Sequence, residues 1–168
     1  MPLDFQRHLR RENFKRSLVQ CTLAGAVVLL LLLILDAVTQ TVLIAALAAS
    51  AFTAFAMPRS LHADTRHLVG GYVVGMIAGC LMSMLYAMFP VTNITLDHAL
   101  MIVFGALAIS LAMIVMIFTR TEHPPAAALA LGLVLNEWHA TTLIVILAGI
   151  IGLSLIKRLV LPGLLDLI

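Results

Sequence analysis

The sequence predicts an all-α membrane protein, and three observations carry that reading. Of its 168 residues 62% are hydrophobic and 11% charged, with a mean hydropathy of +1.12, where a soluble domain carries about 25% charged residues. Stretches free of Asp, Glu, Lys and Arg fall into six hydrophobic segments, residues 17–35, 37–57, 68–89, 99–119, 124–136 and 140–156. The 10 Lys and Arg residues lie only before, between and after these segments, at positions that place them all on one side. So few charges leave apolar side chains against lipid or one another, which excludes aqueous enzyme folds and nucleic-acid modules. The chain length suits one domain.

The chain opens on a basic arm, residues 1–16, holding Arg7, Arg10, Arg11, Lys15 and Arg16. It reads either as an amphipathic helix lying on anionic lipid through Leu3, Phe5, Leu9 and Phe14, or as a plain cytoplasmic anchor. Segment 17–35 is a retained span and not a cleaved signal: it is long, others follow closely, and no small-residue cleavage pattern follows Asp36. The first four segments are long enough for a hydrocarbon core of about 30 Å. Segment 124–136 is short or broken, since thirteen residues make a helix of about 20 Å. Polar chain is then left at membrane depth, where it must be buried in protein or line a cavity. With segment 140–156 the single transmembrane domain spans residues 17–158, and residues 159–168 form a short tail.

If all six segments cross, Arg59, Arg66, Arg120, Lys157 and Arg158 share the compartment of the arm, so all ten basic residues face one side. Making the second and fifth segments re-entrant instead strands Arg59, Arg66 and Arg120 outside. The positive-inside rule therefore favours six crossings in the cell's inner (plasma) membrane with both termini cytoplasmic. Asp36, Asp97 and Glu137 become outer-loop charges, with Trp138 at the aromatic belt.

Three segments per half is an odd number, which inverts the second copy of a repeat; a 3+3 inverted repeat is how many secondary transporters place a midplane site. Residues 45–57 and 126–135 share Ala/Leu-rich character, a likeness that low complexity also produces by chance. In the third segment Gly71, Gly75 and Gly79, with Gly70 beside them, form a small-residue stripe that lets another backbone approach closely. Its partner is a helix of this chain or of a second copy, which leaves a homo-oligomer open. Cys21 and Cys80 sit in apolar runs as inert filler. His62, His67, His98 and His139 read as interfacial, lacking metal-ligand spacing, so no metal and no cofactor is expected.

The densest polar cluster beside a span is Thr119, Arg120, Thr121, Glu122 and His123, followed by Pro124 and Pro125. A Pro pair fits a first helical turn, so a helix is predicted to start there with Thr121 or a neighbour as cap. Its free N–H groups and positive dipole end would face the cluster and suit an anion. Arg120 either pairs with that anion or neutralises Glu122. His123 is either a proton-sensitive gate or a capping and packing residue. Arg59 and Arg66 either form a vestibule with Arg120 or are ordinary positive-inside charges.

The run Thr121 to Ala127, Thr-Glu-His-Pro-Pro-Ala-Ala, with Ala130, Leu131 and Gly132 after it, resembles the signature of the HPP family of small integral membrane proteins. Pro58, Arg59, Ser60, Arg66, Gly70 and Gly71 are similar to that family's second motif. Asp64 and Thr65 stand where Gln-Pro is usual, Tyr72 replaces the His after the glycines, and Ala128 replaces a frequent Gly. The family is described with four spans, against the six segments counted here. The resemblance implies a transporter, with nitrite uptake as the activity linked to plastid and cyanobacterial members.

The expectation is therefore a small integral membrane transporter or channel for a small monovalent anion, nitrite-like, held at the start of the His-Pro-Pro helix. Its partners would be the lipid bilayer and that inorganic anion. The alternative is an accessory or scaffold membrane protein in which the motif is a helix-packing device. An intramembrane enzyme using Glu122 and His123 is disfavoured, because the sequence offers no nucleophile elbow, metal triad or cofactor loop.

Overall fold

The computed structural model describes residues 14, 15, 18–23, 25, 26, 29, 41–160 and 164. The expectations for most of the basic arm, much of segment 17–35 and most of the tail lie outside the described residues. Those described between 14 and 29 are helical. Five helices follow: α1 (Thr41–Ala56), α2 (Thr65–Ala87), α3 (Ile94–Thr119), α4 (Pro124–Leu135) and α5 (Ala140–Val160), with a 3-10 turn (Leu61–Ala63) between α1 and α2. The described residues contain no strand. The fold is the all-helical one expected.

Local chemistry sets the helix boundaries. Asn93 caps α3, its side-chain oxygen accepting the N–H of Thr95 at 3.0 Å and of Leu96 at 3.2 Å, while Asp97 stands in the first turn against the positive dipole end. Pro124 and Pro125 occupy the first two positions of α4, where a missing N–H costs no intrahelical bond. Asn136 stops α4, its backbone and side-chain N–H groups both donating to the Gly132 carbonyl. Lys157 and Arg158 fill the last turn of α5, matching its negative end.

Among the described residues α2, α3 and α5 are the helices long and apolar enough to cross a membrane, with 23, 26 and 21 residues. α1 has 16 residues and α4 has 12, about 24 Å and 18 Å of helix. The shortness expected of the fifth segment is present, and the second segment shares it.

α4 is the central element, packed against α1, α2 and α3. Large apolar side chains such as Ile77, Ile102, Phe118, Ile144 and Leu159 point outward, as a lipid-facing surface requires. Lipid removes the hydrophobic drive between helices, so close backbone approach has to replace it. The glycine stripe of α2 provides it. A methyl at Gly71 would lie 2.7 Å from the His123 Cβ, and one at Gly79 2.8 Å from the Ala130 carbonyl oxygen; at Gly75 it would collide with the Ala126 carbonyl. The stripe is thus occupied within the chain, by α4 and the turn before it.

Consecutive helices reverse direction, so the basic positions gather at one end. There Arg66 donates from Nη2 to the Thr119 carbonyl at 2.8 Å, and Lys157 from Nζ to the Ala63 carbonyl at 2.6 Å. At the other end the Tyr86 hydroxyl donates to Asp97 at 2.6 Å and the Trp138 indole N–H to Ser83 at 3.1 Å.

Candidate functional site

The turn from α3 into α4 carries the polar cluster. Arg120 is left-handed, with φ 54° and ψ 53°, the one positive φ among the described residues. Its N–H bonds the Ile117 carbonyl at 3.3 Å and the Thr121 N–H bonds the Met116 carbonyl at 3.0 Å. This is a Schellman closure with Arg120 in the position usually held by Gly. The chain then doubles back, burying Thr121 and His123 and leaving Arg120 exposed. The Thr119 and Thr121 hydroxyls lie 2.8 Å apart.

His123 is the N-cap of α4 and is 1% exposed. Its Nδ1 is 3.1 Å from the His62 carbonyl oxygen, which can only accept, so Nδ1 carries a proton. Its Nε2 is 2.9 Å from the hydroxyl of Ser50 on α1. That hydroxyl also lies 2.8 Å from the Tyr72 hydroxyl on α2 and 2.9 Å from the Ala46 carbonyl. Ser50 and Tyr72 are both fully buried. A polar knot drawn from α1, α2 and the α3–α4 turn therefore sits inside an apolar bundle. His123 belongs to none of the helices long enough to span, and its burial pushes the imidazole down from its ordinary value to about 4.

Further polar groups face the basic end. Nδ1 of His62 donates to the Glu122 carbonyl at 2.9 Å, so the 3-10 turn and the α4 approach are stitched twice. The Glu122 carboxylate is 3.5 Å from Nε2 of His67. The His67 ring is buried, and its Nδ1 has no hydrogen-bond partner. Lys157, 5% exposed, holds the same turn through Ala63. Among the described residues no group of three or more His, Cys, Asp or Glu gathers as a metal shell would.

A cavity of about 550 Å3 lies between α3 and α4, lined by Met113, Met116 and Leu131 among others, and it reaches Glu122, His123 and Pro124 at the helix start. Its walls are almost wholly apolar.

The structure brings Thr119, Arg120, Thr121, Glu122, His123, Pro124 and Pro125 together with Arg66, and places Arg59 in the turn following α1. It decides between two pairs of alternatives and corrects one expectation. The cap of α4 is a neighbour of Thr121, His123, without a side-chain capping bond, and Thr121 bonds Thr119. Arg120 makes no salt bridge with Glu122; the carboxylate faces His67. The helix start also offers few free amides: Pro124 and Pro125 have no N–H, and the Ala126 N–H is turned back to the His123 carbonyl at 2.9 Å. Ser50, Tyr72, His62, His67 and Lys157 were not foreseen as parts of the site. Tyr72 was visible only as a departure from the family pattern, and Ser50 only as a hydroxyl within an Ala-rich run.

Residues 9–161 match the family model described as HPP, transmembrane region. Two transmembrane proteins of Dictyostelium discoideum are each 38% identical, one over 97 residues covering 58% of this chain, the other over 89 residues covering 53%. The matches span 31% and 26% of those relatives' own lengths. No solved structure matches.

Proposed function

Since the chain belongs to the HPP transmembrane family, we propose that this integral membrane protein is a small transporter or channel for a small monovalent anion such as nitrite. The observation that carries the reading is the meeting of two short helices at one buried polar contact, Ser50 of α1 with His123 before α4. Short or Gly/Pro-interrupted segments in corresponding positions of two halves are where inverted-repeat transporters place their sites. α1 and α4 are the middle elements of the two triads. On this reading Arg59, Arg66 and Arg120 concentrate and receive anions at the cytoplasmic end, since the Thr119 hydroxyl is committed to the Val115 carbonyl and the Thr121 hydroxyl to Thr119. Both termini lie in the cytoplasm, the membrane is the plasma membrane, and no catalysis is involved.

Purified protein in liposomes tests this. Nitrite, nitrate or formate flux should exceed that of empty vesicles and fall at least about tenfold in Arg120→Gly, which leaves the left-handed turn intact. Flux equal to empty vesicles for all three ions would end the anion reading.

The scaffold reading keeps one observation in its favour: the motif is packed, with Gly71, Gly75 and Gly79 seated on His123, Ala126 and Ala130. It predicts that motif substitutions reduce stability while no solute crosses at any pH.

A further inference from the structure

We propose that Ser50, Tyr72 and His123 form a proton-binding site whose donors are satisfied with and without the extra proton. The argument is a count of hydrogens. Ser50 Oγ has one proton and two lone pairs and three neighbours: the Ala46 carbonyl at 2.9 Å, the Tyr72 hydroxyl at 2.8 Å and His123 Nε2 at 2.9 Å. His123 Nδ1–H is committed to the His62 carbonyl at 3.1 Å.

With His123 neutral, Nε2 is a bare acceptor. The Ser50 hydroxyl donates to it, and the Tyr72 hydroxyl donates to Ser50. When a proton from water arrives at Nε2, the new N–H donates to Ser50 Oγ. The Ser50 proton then rotates to the Ala46 carbonyl, and Tyr72 continues to donate to Ser50. The His62 carbonyl keeps its bond throughout. No donor is orphaned in either state and no heavy atom has to move. Had Ser50 been Ala, the charged imidazole would carry a buried N–H without an acceptor, a costly arrangement.

The cavity between α3 and α4 reaches His123 and Glu122, but its walls are almost wholly apolar, so the proton enters only when a local opening admits water. The titratable groups facing the imidazole are Tyr72 and His67 from α2, His62 from the 3-10 turn and Glu122 from its own loop. Arg66 and Arg120 lie at the turn above, and Lys157 of α5 reaches the His62 turn. α1 presents Ser50 and no ionisable side chain. Burial, and then the two neighbouring histidines, oppose the extra charge, while the bond to the His62 carbonyl favours it. Burial disfavours the charged imidazole and solvation favours it, so proton binding and opening are linked. The inference is independent of which solute crosses.

The test is histidine 15N NMR of the full chain in lipid nanodiscs, titrated from neutral pH into the acid range, with His123 identified by the signal lost in His123→Gln. Nδ1 should stay protonated throughout while Nε2 gains its proton. Ser50→Ala should lower the His123 midpoint by about one unit, because an orphaned charged N–H costs more than an unfilled lone pair on the neutral ring, and Ser50→Thr should leave it near native. Tyr72→Phe should raise it, because Ser50 Oγ then accepts from His123 alone. A midpoint unmoved by Ser50→Ala, with the His98 and His139 signals native, overturns the proposal. So does a Nδ1 that loses its proton as pH rises. Because Ser50→Thr keeps the hydroxyl, a midpoint shifted as far in Thr as in Ala also overturns it.

Discussion

Ser50 and His123 stand 73 positions apart in sequence and 2.9 Å apart in space, joined by a buried hydrogen bond between α1 and the start of α4. Two short apolar helices, the shortest among the described residues, are thereby tied at a buried polar point. Inside a membrane domain such a bond fixes orientation, since apolar surfaces alone do not distinguish one helix rotation from another.

The fit of α2 against α4 predicts unequal tolerance of a single methyl. Gly75→Ala should destabilise by about 1–3 kcal/mol or prevent folding, because the added carbon meets the Ala126 backbone carbonyl, which cannot step aside. Gly152→Ala in α5 meets nothing within 4 Å and should stabilise by up to about 1 kcal/mol, the difference in helix propensity. Thermal unfolding in detergent measures both.

Arg120→Gly should raise stability by about 1 kcal/mol, since Gly adopts the left-handed turn without the penalty carried by a Cβ. A variant that is more stable yet conducts less anion would separate the charge of Arg120 from its structural place; unchanged flux would remove Arg120 from the path.

Acidification should weaken the fold through His123. Burial lowers its folded pKa to about 4 from the ordinary 6.5, so the neutral form is the one the fold favours. That contribution is complete above about pH 6.5 and is lost as pH falls toward 4, amounting to at most about 3 kcal/mol. Melting temperature should be level above neutrality and decline across that window. The decline should be shallower in His123→Gln.

Lys157→Met keeps the apolar stem and removes the ammonium that donates to the Ala63 carbonyl. A loss of about 1–3 kcal/mol is expected, together with faster proteolysis of the turn between α1 and α2. Lys157→Arg should restore much of it. Equal protease resistance in Met and native protein would show that the turn is held elsewhere.

Much of the architecture was legible because its signals are cumulative. A membrane segment is written over about 20 residues, and the Pro pair marks the α4 start to the residue. The glycine stripe announced close packing but not its partner, since spacing within one helix says nothing about what lies opposite. The site was legible only in part. Thr119 to Pro125 are contiguous, so composition exposed them. Ser50 and Tyr72 reach His123 only through the tertiary arrangement, and each is a lone hydroxyl in an apolar run. Lys157 looked like a charge retained for orientation, because sequence does not show that its ammonium lies inside. The anion geometry expected at the helix start failed for a local reason: the same two prolines that begin the helix remove the amides an anion needs.

The seating of Gly75 on the Ala126 carbonyl has a mechanical corollary. Two coils in contact at the main chain have no compliant side chains between them to shear, so α2 and α4 turn as a single lever. Any displacement of α1 from that pair has to break the Ser50 to His123 bond.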